Sequence, residues 1–202
     1  MDQAFIDNAE RELRQRDPIL GELINSQKLQ PRELRSDYFA SLCRSIIGQQ
    51  VSVAAATAIA SRFGEHTNFE PVTVAALNLE AIKAIGLSKQ KAGYLMDLAQ
   101  HFVHNPAIYN HLGSQDDEQV IAELTAVKGI GVWTAQMFLM FTLARPDVFA
   151  PDDVGLQHGM MRLYGWETLP PKKELAEIAS QWQPYRTIAS LHLWQSLDNT
   201  PA

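Results

Sequence analysis

Two carboxylates stand side by side at Asp152 and Asp153, after Pro151 and before the apolar Val154. Asp is a preferred N-cap residue, so one of the pair is expected to cap the next helix, and the position beside Pro151 favours Asp152 for that task. The second carboxylate gains from the helix dipole but is not needed as a cap. An anion held there can stabilise a developing cation, which makes Asp153 the candidate catalytic residue. Plain helix capping without chemistry is the alternative.

A glycine turn lies upstream, in the stretch Leu124–Ala135, which reads Leu-Thr-Ala-Val-Lys-Gly-Ile-Gly-Val-Trp-Thr-Ala. The pattern predicts a helix ending at Lys128, a bare turn at Gly129-Ile130-Gly131 and a new helix. Because Gly129 and Gly131 have no side chains, an anion can reach the main chain of the turn, where the new helix directs its N–H groups and positive dipole end. The chain has no Walker-type Lys-Ser/Thr pair, so a nucleic-acid phosphate is the expected anion. A tight helix connection without a ligand is the alternative.

Four tryptophans are the next candidates for function. Trp133 follows the glycine turn and Trp194 lies in the last predicted helix, where each could stack on an extruded base. A core position is an equally good interpretation of both. Trp182 lies on an apolar helical stripe and is predicted to be core, whereas Trp166 is expected to be half-exposed.

Composition narrows the functional class. The 202 residues carry a net charge of −6, which disfavours a general nucleic-acid binder, although lysines near the glycine turns can supply a local positive field. The single cysteine, Cys43, excludes an intrachain disulfide and any all-cysteine cluster, and its helical spacing predicts a core residue. His158 and His192 lack the spacing of a metal site. No apolar run reaches membrane-spanning length and no signal segment begins the sequence, which predicts a cytoplasmic protein.

Helical periodicity recurs along the whole chain and strand signals are nearly absent, so the predicted fold class is all-α. Ser52 and Ser88 are predicted N-caps, and Ser114 with Asp117 suggests a capping box. Three residues after the glycine turn are expected to face inward: Met137, Phe138 and Phe141.

Taken together, these residues resemble the helix-hairpin-helix DNA glycosylases, and especially the DNA-3-methyladenine glycosylase II branch. The resemblance covers about residues 36–197 and rests on four segments: 46–52, 124–135, 149–153 and 190–194. It implies a single glycosylase domain, 1–202, of two helical lobes with a DNA-binding cleft between them. One lobe is expected at about 38–145 with the hairpin 124–135, and the other from 1–37 plus 146–202.

The resemblance also implies roles for individual residues. The catalytic aspartate falls on Asp153, and the base pocket falls on Trp133, Trp194 and Met137. DNA contacts are expected from the hairpin and from the loop that holds the wedge in this family: Lys128, Gly129, Ile130, Gly131, Thr134, Gln49 and Gln50. Some relatives have an apolar wedge where this chain has Gln50. A structural monovalent cation, sodium or potassium, is expected on the main-chain carbonyls of Thr125, Val127 and Ile130.

The reaction implied is hydrolysis of the N-glycosidic bond of alkylated purines, such as 3-methyladenine and 7-methylguanine, in base excision repair. Lyase branches carry a nucleophilic lysine where this chain has Trp133, so no lyase activity is expected. No catalytic cofactor and no iron–sulfur cluster are expected. The expected partner is double-stranded DNA that contains damaged bases. The protein is expected to be a monomer that binds DNA at the nucleoid and does not associate with a membrane. A glycosylase for oxidised, deaminated or mismatched bases, and a non-enzymatic helix-hairpin-helix DNA-binding module, are the alternatives.

Overall fold

The computed structural model describes residues 1–198, which form thirteen α-helices and one short 3-10 helix. The helices are α1 (Gln3–Arg16), α2 (Pro18–Asn25), α3 (Tyr38–Gly48), α4 (Val53–Thr67), α5 (Pro71–Ala76), α6 (Leu79–Ala84), α7 (Lys89–His104), α8 (Pro106–Tyr109), α9 (Asp117–Thr125), α10 (Val132–Phe141), α11 (Val154–Tyr164), α12 (Lys172–Ser180) and α13 (Arg186–Asp198), with the 3-10 helix at Leu112–Ser114. No β-strand occurs in this part of the chain, which confirms the all-α prediction. None of the helices described combines the length and apolar character that a membrane span requires.

The chain divides into two compact units. The central unit comprises Arg35–Phe138. The terminal unit comprises Met1–Leu34 together with the described residues from Leu139 onward. The second boundary falls within α10, so this helix contributes residues to both units.

Helix α7 organises the central unit, because α3, α5, α6 and α8 all pack against it. Phe39 of α3 meets Phe102 of α7 edge to face, with ring centroids 5.0 Å apart. Such aromatic pairs add to the free energy gained from apolar burial. The predicted apolar stripes of both helices are buried, which confirms them: Phe39, Leu42, Cys43, Ile46 and Ile47 in α3, and Leu95, Leu98, Ala99 and Phe102 in α7.

Asp17 forms the buried polar centre of the terminal unit. It caps α2 by accepting the main-chain N–H of Leu20 at 3.0 Å. Its other oxygen accepts the indole N–H of Trp182 at 2.8 Å and the hydroxyl of Tyr164 at 2.5 Å. A buried carboxylate is costly unless its lone pairs are satisfied, so these bonds tie α2 to the end of α11 and to the segment after α12. Trp182 is fully buried, which confirms its predicted core position.

The predicted helix starts are right in two cases and wrong in one. Ser52 caps α4 and Ser88 caps α7, as expected. The cap of α9 is Asp116, whose side chain accepts the N–H of Gln119 in a reciprocal capping box. Ser114 lies in the preceding 3-10 helix, so the prediction there is displaced by two residues. Several small polar residues stand in this stretch, and spacing alone does not rank them as caps.

Candidate active site and nucleic-acid interface

Asp153 is the N-cap of α11, and its Oδ1 accepts the main-chain N–H of Leu156 at 2.8 Å. The prediction that Asp152 caps this helix is therefore wrong. Asp152 is exposed and instead contacts the ammonium group of Lys172. The reason is positional: Asp153 immediately precedes the first helical residue and has the extended backbone that an N-cap requires. Asp153 is 8% exposed.

The indole of Trp194 contacts the same carboxylate oxygen. Its Nε1 donates to Asp153 Oδ1 at 2.8 Å, so α13 and α11 together orient the carboxylate. Gly155 makes this approach possible, since a Cβ there would lie 2.9 Å from both Cδ1 and Nε1 of Trp194. The structure thus joins the predicted catalytic residue to one predicted pocket tryptophan. The sequence marks this close approach only by a glycine two residues after the aspartate.

A cleft of about 500 Å³ opens beside Trp194 in the terminal unit. Phe141 lines it, with its ring 5.6 Å from the Trp194 ring, centroid to centroid. Phe141 is 37% exposed, so the prediction that it faces inward is wrong. Its neighbours Phe138, Leu139 and Met140 are buried and leave position 141 on the open side of α10.

His158 and His192, the two histidines considered as metal ligands, have different environments. His158 is exposed. His192 is fully buried, and its ring nitrogens lie 2.9 Å from Gln27 Oε1 and 3.2 Å from Glu10 Oε1. Burial lowers the pKa of His192 to about 4, so the ring is neutral at neutral pH. His192 is therefore a packing residue of α13. Within residues 1–198, no group of His, Cys, Asp and Glu is arranged to hold a metal ion.

The central unit contains the predicted hairpin, formed by the end of α9, a turn and the start of α10. Gly129 has φ +85°, and a Cβ there would overlap the ring of Tyr94, whose Cδ2 lies 2.1 Å from that position. Gly129 is thus required by both conformation and packing. Gly131 differs, because a Cβ there would have no atom within 4 Å. Gly131 is exposed at the N-terminal end of α10, where an anion is favoured.

Helix α7 and the Gln49-Gln50 loop hold this hairpin in place. Asp97 of α7 accepts the main-chain N–H of Lys128 at 2.9 Å and pairs with its ammonium group at 3.0 Å. Burial would raise the pKa of Asp97, but the bonds from Lys128 outweigh it and keep the pKa below its ordinary value. Gln49 donates its side-chain N–H to the carbonyl of Gly129 at 2.9 Å. The structure therefore brings together three of the predicted DNA-contact residues.

The Gln49-Gln50 loop has its own support from α7. Lys91 donates to the carbonyls of Ile47 and Gln49, at 2.8 and 2.6 Å. Gln50 is exposed and has φ 55°, a left-handed conformation that is uncommon for residues other than glycine. Lys91 thus supports an exposed, strained residue at the predicted wedge position. Spacing did not reveal this role, because Lys91 and the loop are far apart in sequence.

The remaining predicted residues lie on α10. Trp133 is 43% exposed, unlike Trp182, which favours a surface function over a core one. Met137 is half-buried. Thr134 is 6% exposed, so little of this residue is accessible for the predicted phosphate contact.

Comparison with known proteins gives a consistent result. Residues 43–184 match the family model described as HhH-GPD superfamily base excision DNA repair protein. The chain is 30% identical over 177 residues to YfjP of Bacillus subtilis, whose name places it among the DNA-3-methyladenine glycosylases. That alignment covers 83% of this chain and 62% of the relative, so the chain spans about three fifths of that protein's length.

Two solved structures are similar over nearly the whole chain. The 3-methyladenine DNA glycosylase Mag1 of Schizosaccharomyces pombe, in complex with abasic DNA, has a TM-score of 0.80 at 27% identity, covering 95% of this chain and 97% of that one. A DNA-3-methyladenine glycosidase of Bacillus halodurans has a TM-score of 0.84 at 34% identity, covering 95% and 89%.

Proposed function

Because this chain belongs to the HhH-GPD superfamily of base excision DNA repair proteins, we propose that it is a DNA glycosylase that hydrolyses the N-glycosidic bond of alkylated purines. The observation that carries the proposal is the pairing of Asp153 with Trp194, in which a helix-capping carboxylate is fixed beside an aromatic ring that lines a cleft. The relatives in Bacillus subtilis, Schizosaccharomyces pombe and Bacillus halodurans all carry 3-methyladenine in their names, which supports the same class of substrate.

In this proposal Asp153 acts on the sugar. As the glycosidic bond breaks, the deoxyribose gains oxocarbenium character, which a nearby carboxylate stabilises while it orients or deprotonates the attacking water. The hydrogen bonds from Leu156 and Trp194 hold Oδ1 in place before the reaction. The site therefore needs little rearrangement when charge develops.

The resemblance assigns base contacts to Trp133, Trp194 and Met137, and we propose the same role for each. An N3- or N7-alkylated purine is cationic and is attracted to aromatic faces. It also leaves as a neutral base, so the reaction does not depend on a general acid. His192, two residues before Trp194 on α13, is buried and neutral and does not supply such an acid.

The test of the proposal is release of free base from duplexes that each carry one defined lesion. We expect release of 3-methyladenine and 7-methylguanine, with slower release of hypoxanthine. Tight DNA binding without release of any base would instead assign the chain to the non-enzymatic helix-hairpin-helix modules.

We propose that the enzyme has no lyase activity, because Trp133 occupies the hairpin position of the lyase lysine in the related branches. Without that amine no Schiff base forms with the sugar. Borohydride added during turnover of 7-methylguanine DNA is expected to trap no covalent enzyme–DNA adduct. A bifunctional glycosylase treated with its own substrate is the positive control, and a trapped adduct with the present protein would contradict the assignment.

Double-stranded DNA is the proposed partner of a monomeric enzyme. Its phosphate is proposed to bind the main chain of the hairpin, with contacts from the neighbouring loop: Lys128, Gly129, Ile130, Gly131, Thr134, Gln49 and Gln50. A monovalent cation on the carbonyls of Thr125, Val127 and Ile130 would add positive charge there. The carbonyl of Thr125 fits such an ion, because Thr125 ends α9, where carbonyls lack helical partners and the dipole is negative. The carbonyl of Val127 also accepts the main-chain N–H of Ile130 at 3.1 Å.

The Gly131→Leu variant tests the phosphate contact. We expect affinity to fall about tenfold, the equivalent of one charge-assisted hydrogen bond, and equally for damaged and undamaged DNA, because phosphate contacts carry no base information. Fluorescence anisotropy measures the affinity of the variant and of the wild type for a damaged and an undamaged duplex. Gly131→Ala is the matched control, since space is open at this position. A loss confined to one lesion would place the turn in the base pocket instead.

A further inference from the structure

Arg32 lies at the edge of the cleft beside Trp194. Its guanidinium carbon lies 4.9 Å from the centroid of the Phe141 ring, in cation–π geometry. Trp194 and Phe141 line the same cleft, together with the aliphatic Leu29 and Leu191. The site thus combines two aromatic rings, an apolar floor and one fixed positive charge.

The guanidinium of Arg32 has no carboxylate partner among the described residues, whereas three other arginines of this unit do. Arg14 and Arg16 pair with glutamates on α1, and Arg186 pairs with Asp147. For Arg32 the sole influence on the pKa is burial, which lowers it, while the group remains charged. A half-buried guanidinium without an acceptor is unfavourable. Its five donors are therefore available to a ligand that brings acceptors.

The main chain holds Arg32 in this position. Its N–H donates to the carbonyl of Met1 at 2.9 Å, and its carbonyl accepts the amino group of Met1 at 2.7 Å. These two bonds secure a segment that has no regular secondary structure between α2 and α3. The aromatic contact then directs the side chain along the cleft. The arginine is therefore positioned before any ligand arrives.

We propose that Arg32 is a specificity-determining residue that reads hydrogen-bond acceptors on a purine extruded into this cleft. The inference rests on the proposed function, since it presumes that the cleft beside Asp153 and Trp194 takes the base. A cleft of about 500 Å³ is within the roughly 300–1,000 Å³ typical of ligand sites. A guanidinium donates but never accepts, and its fork matches the adjacent O6 and N7 acceptors of a 6-oxopurine.

The consequence is a selective effect on lesions. Hypoxanthine is neutral and offers O6 and N7, so Arg32 favours it. 3-Methyladenine is cationic and carries an amino group at position 6, so Arg32 gives it no matched bond and repels its charge. Arg32 thereby widens the substrate range toward neutral 6-oxopurines, in opposition to the preference for cations that the tryptophans confer.

The experiment compares Arg32→Met with wild type in single-turnover excision of hypoxanthine and of 3-methyladenine. Methionine keeps the apolar contact with Phe141 but removes every donor. A bidentate contact discriminates by about 1–3 kcal/mol, so hypoxanthine excision is expected to fall roughly 5- to 150-fold while 3-methyladenine excision is unchanged or faster. Arg32→Lys keeps the charge without the fork and should recover part of the hypoxanthine rate.

Lys173→Met is the matched control, because it removes an exposed cation from the same unit at a position that does not line the cleft. It is expected to leave the ratio of the two excision rates unchanged. DNA affinity measured against salt concentration separates the two acceptors that a guanidinium could meet. Equal losses on both lesions, with a salt slope reduced by about one, would overturn the proposal in favour of a phosphate contact. An unchanged ratio in Arg32→Met would also overturn it. Failure of the proposed function gives a different result, because the wild type then releases no base.

Discussion

Asp153→Asn is expected to reduce single-turnover base excision by at least about 100-fold while DNA affinity stays within about threefold of wild type. The size of the effect follows from loss of the negative charge that stabilises the sugar cation, which is comparable to removal of a preorganised electrostatic group in other enzymes. Asparagine preserves the structure around this charge, because it is also a preferred N-cap and its carbonyl oxygen accepts the bonds from Leu156 and Trp194. Quenched-flow excision of 7-methylguanine gives the rate.

Asp152→Asn is the matched control for this prediction. Asp152 is exposed, and its contact with Lys172 is a surface ion pair, which contributes little to stability. Its excision rate is expected to remain near that of wild type. The catalytic assignment is wrong if Asp153→Asn retains near-normal excision while Asp152→Asn loses it.

Trp133→Leu is expected to slow excision of 3-methyladenine and 7-methylguanine by up to about 30-fold, and excision of hypoxanthine by less. Leucine keeps the position apolar but removes the aromatic face, and a cationic base loses an attraction of roughly 0.5–2 kcal/mol that a neutral base does not have. The measured quantity is the ratio of single-turnover rates for the three lesions in variant and wild type.

Trp166→Leu serves as the aromatic control. Trp166 is half-buried and stacks on Tyr164, with ring centroids 4.9 Å apart, so its loss should affect all lesions alike through stability. Equal losses on all lesions in Trp133→Leu would show that this tryptophan only shapes the pocket. A wild-type preference for hypoxanthine would contradict the cationic-substrate proposal.

The sequence alone predicted the features that depend on local spacing. The apolar stripes of α3 and α7, the serine caps of α4 and α7 and the core positions of Cys43 and Trp182 are confirmed. The resemblance to the DNA-3-methyladenine glycosylase branch is likewise confirmed by the family match and the relatives. These features share one cause: period 3.6, capping chemistry and short motifs are all contained within a few adjacent residues.

Contacts between distant segments were decided by the tertiary structure. Asp153, and not Asp152, caps α11, and its carboxylate also meets Trp194, which is 41 residues away along the chain. Phe141 faces the cleft instead of the interior. Most residues of α10 are apolar, and an apolar side chain looks the same in the sequence whether it packs in the core or lines a binding surface.

The chain by itself therefore determined an all-α helix-hairpin-helix protein with a candidate catalytic aspartate. Only the tertiary structure showed that Tyr94 and Asp97 of α7 support the hairpin, that Lys91 supports the Gln49-Gln50 loop, and that Arg32 lies against Phe141. Each of these contacts joins residues more than 30 positions apart, and its geometry depends on how whole helices pack. Helix packing minimises exposed apolar area across an entire unit, so the polar neighbours it creates are not encoded in any one segment.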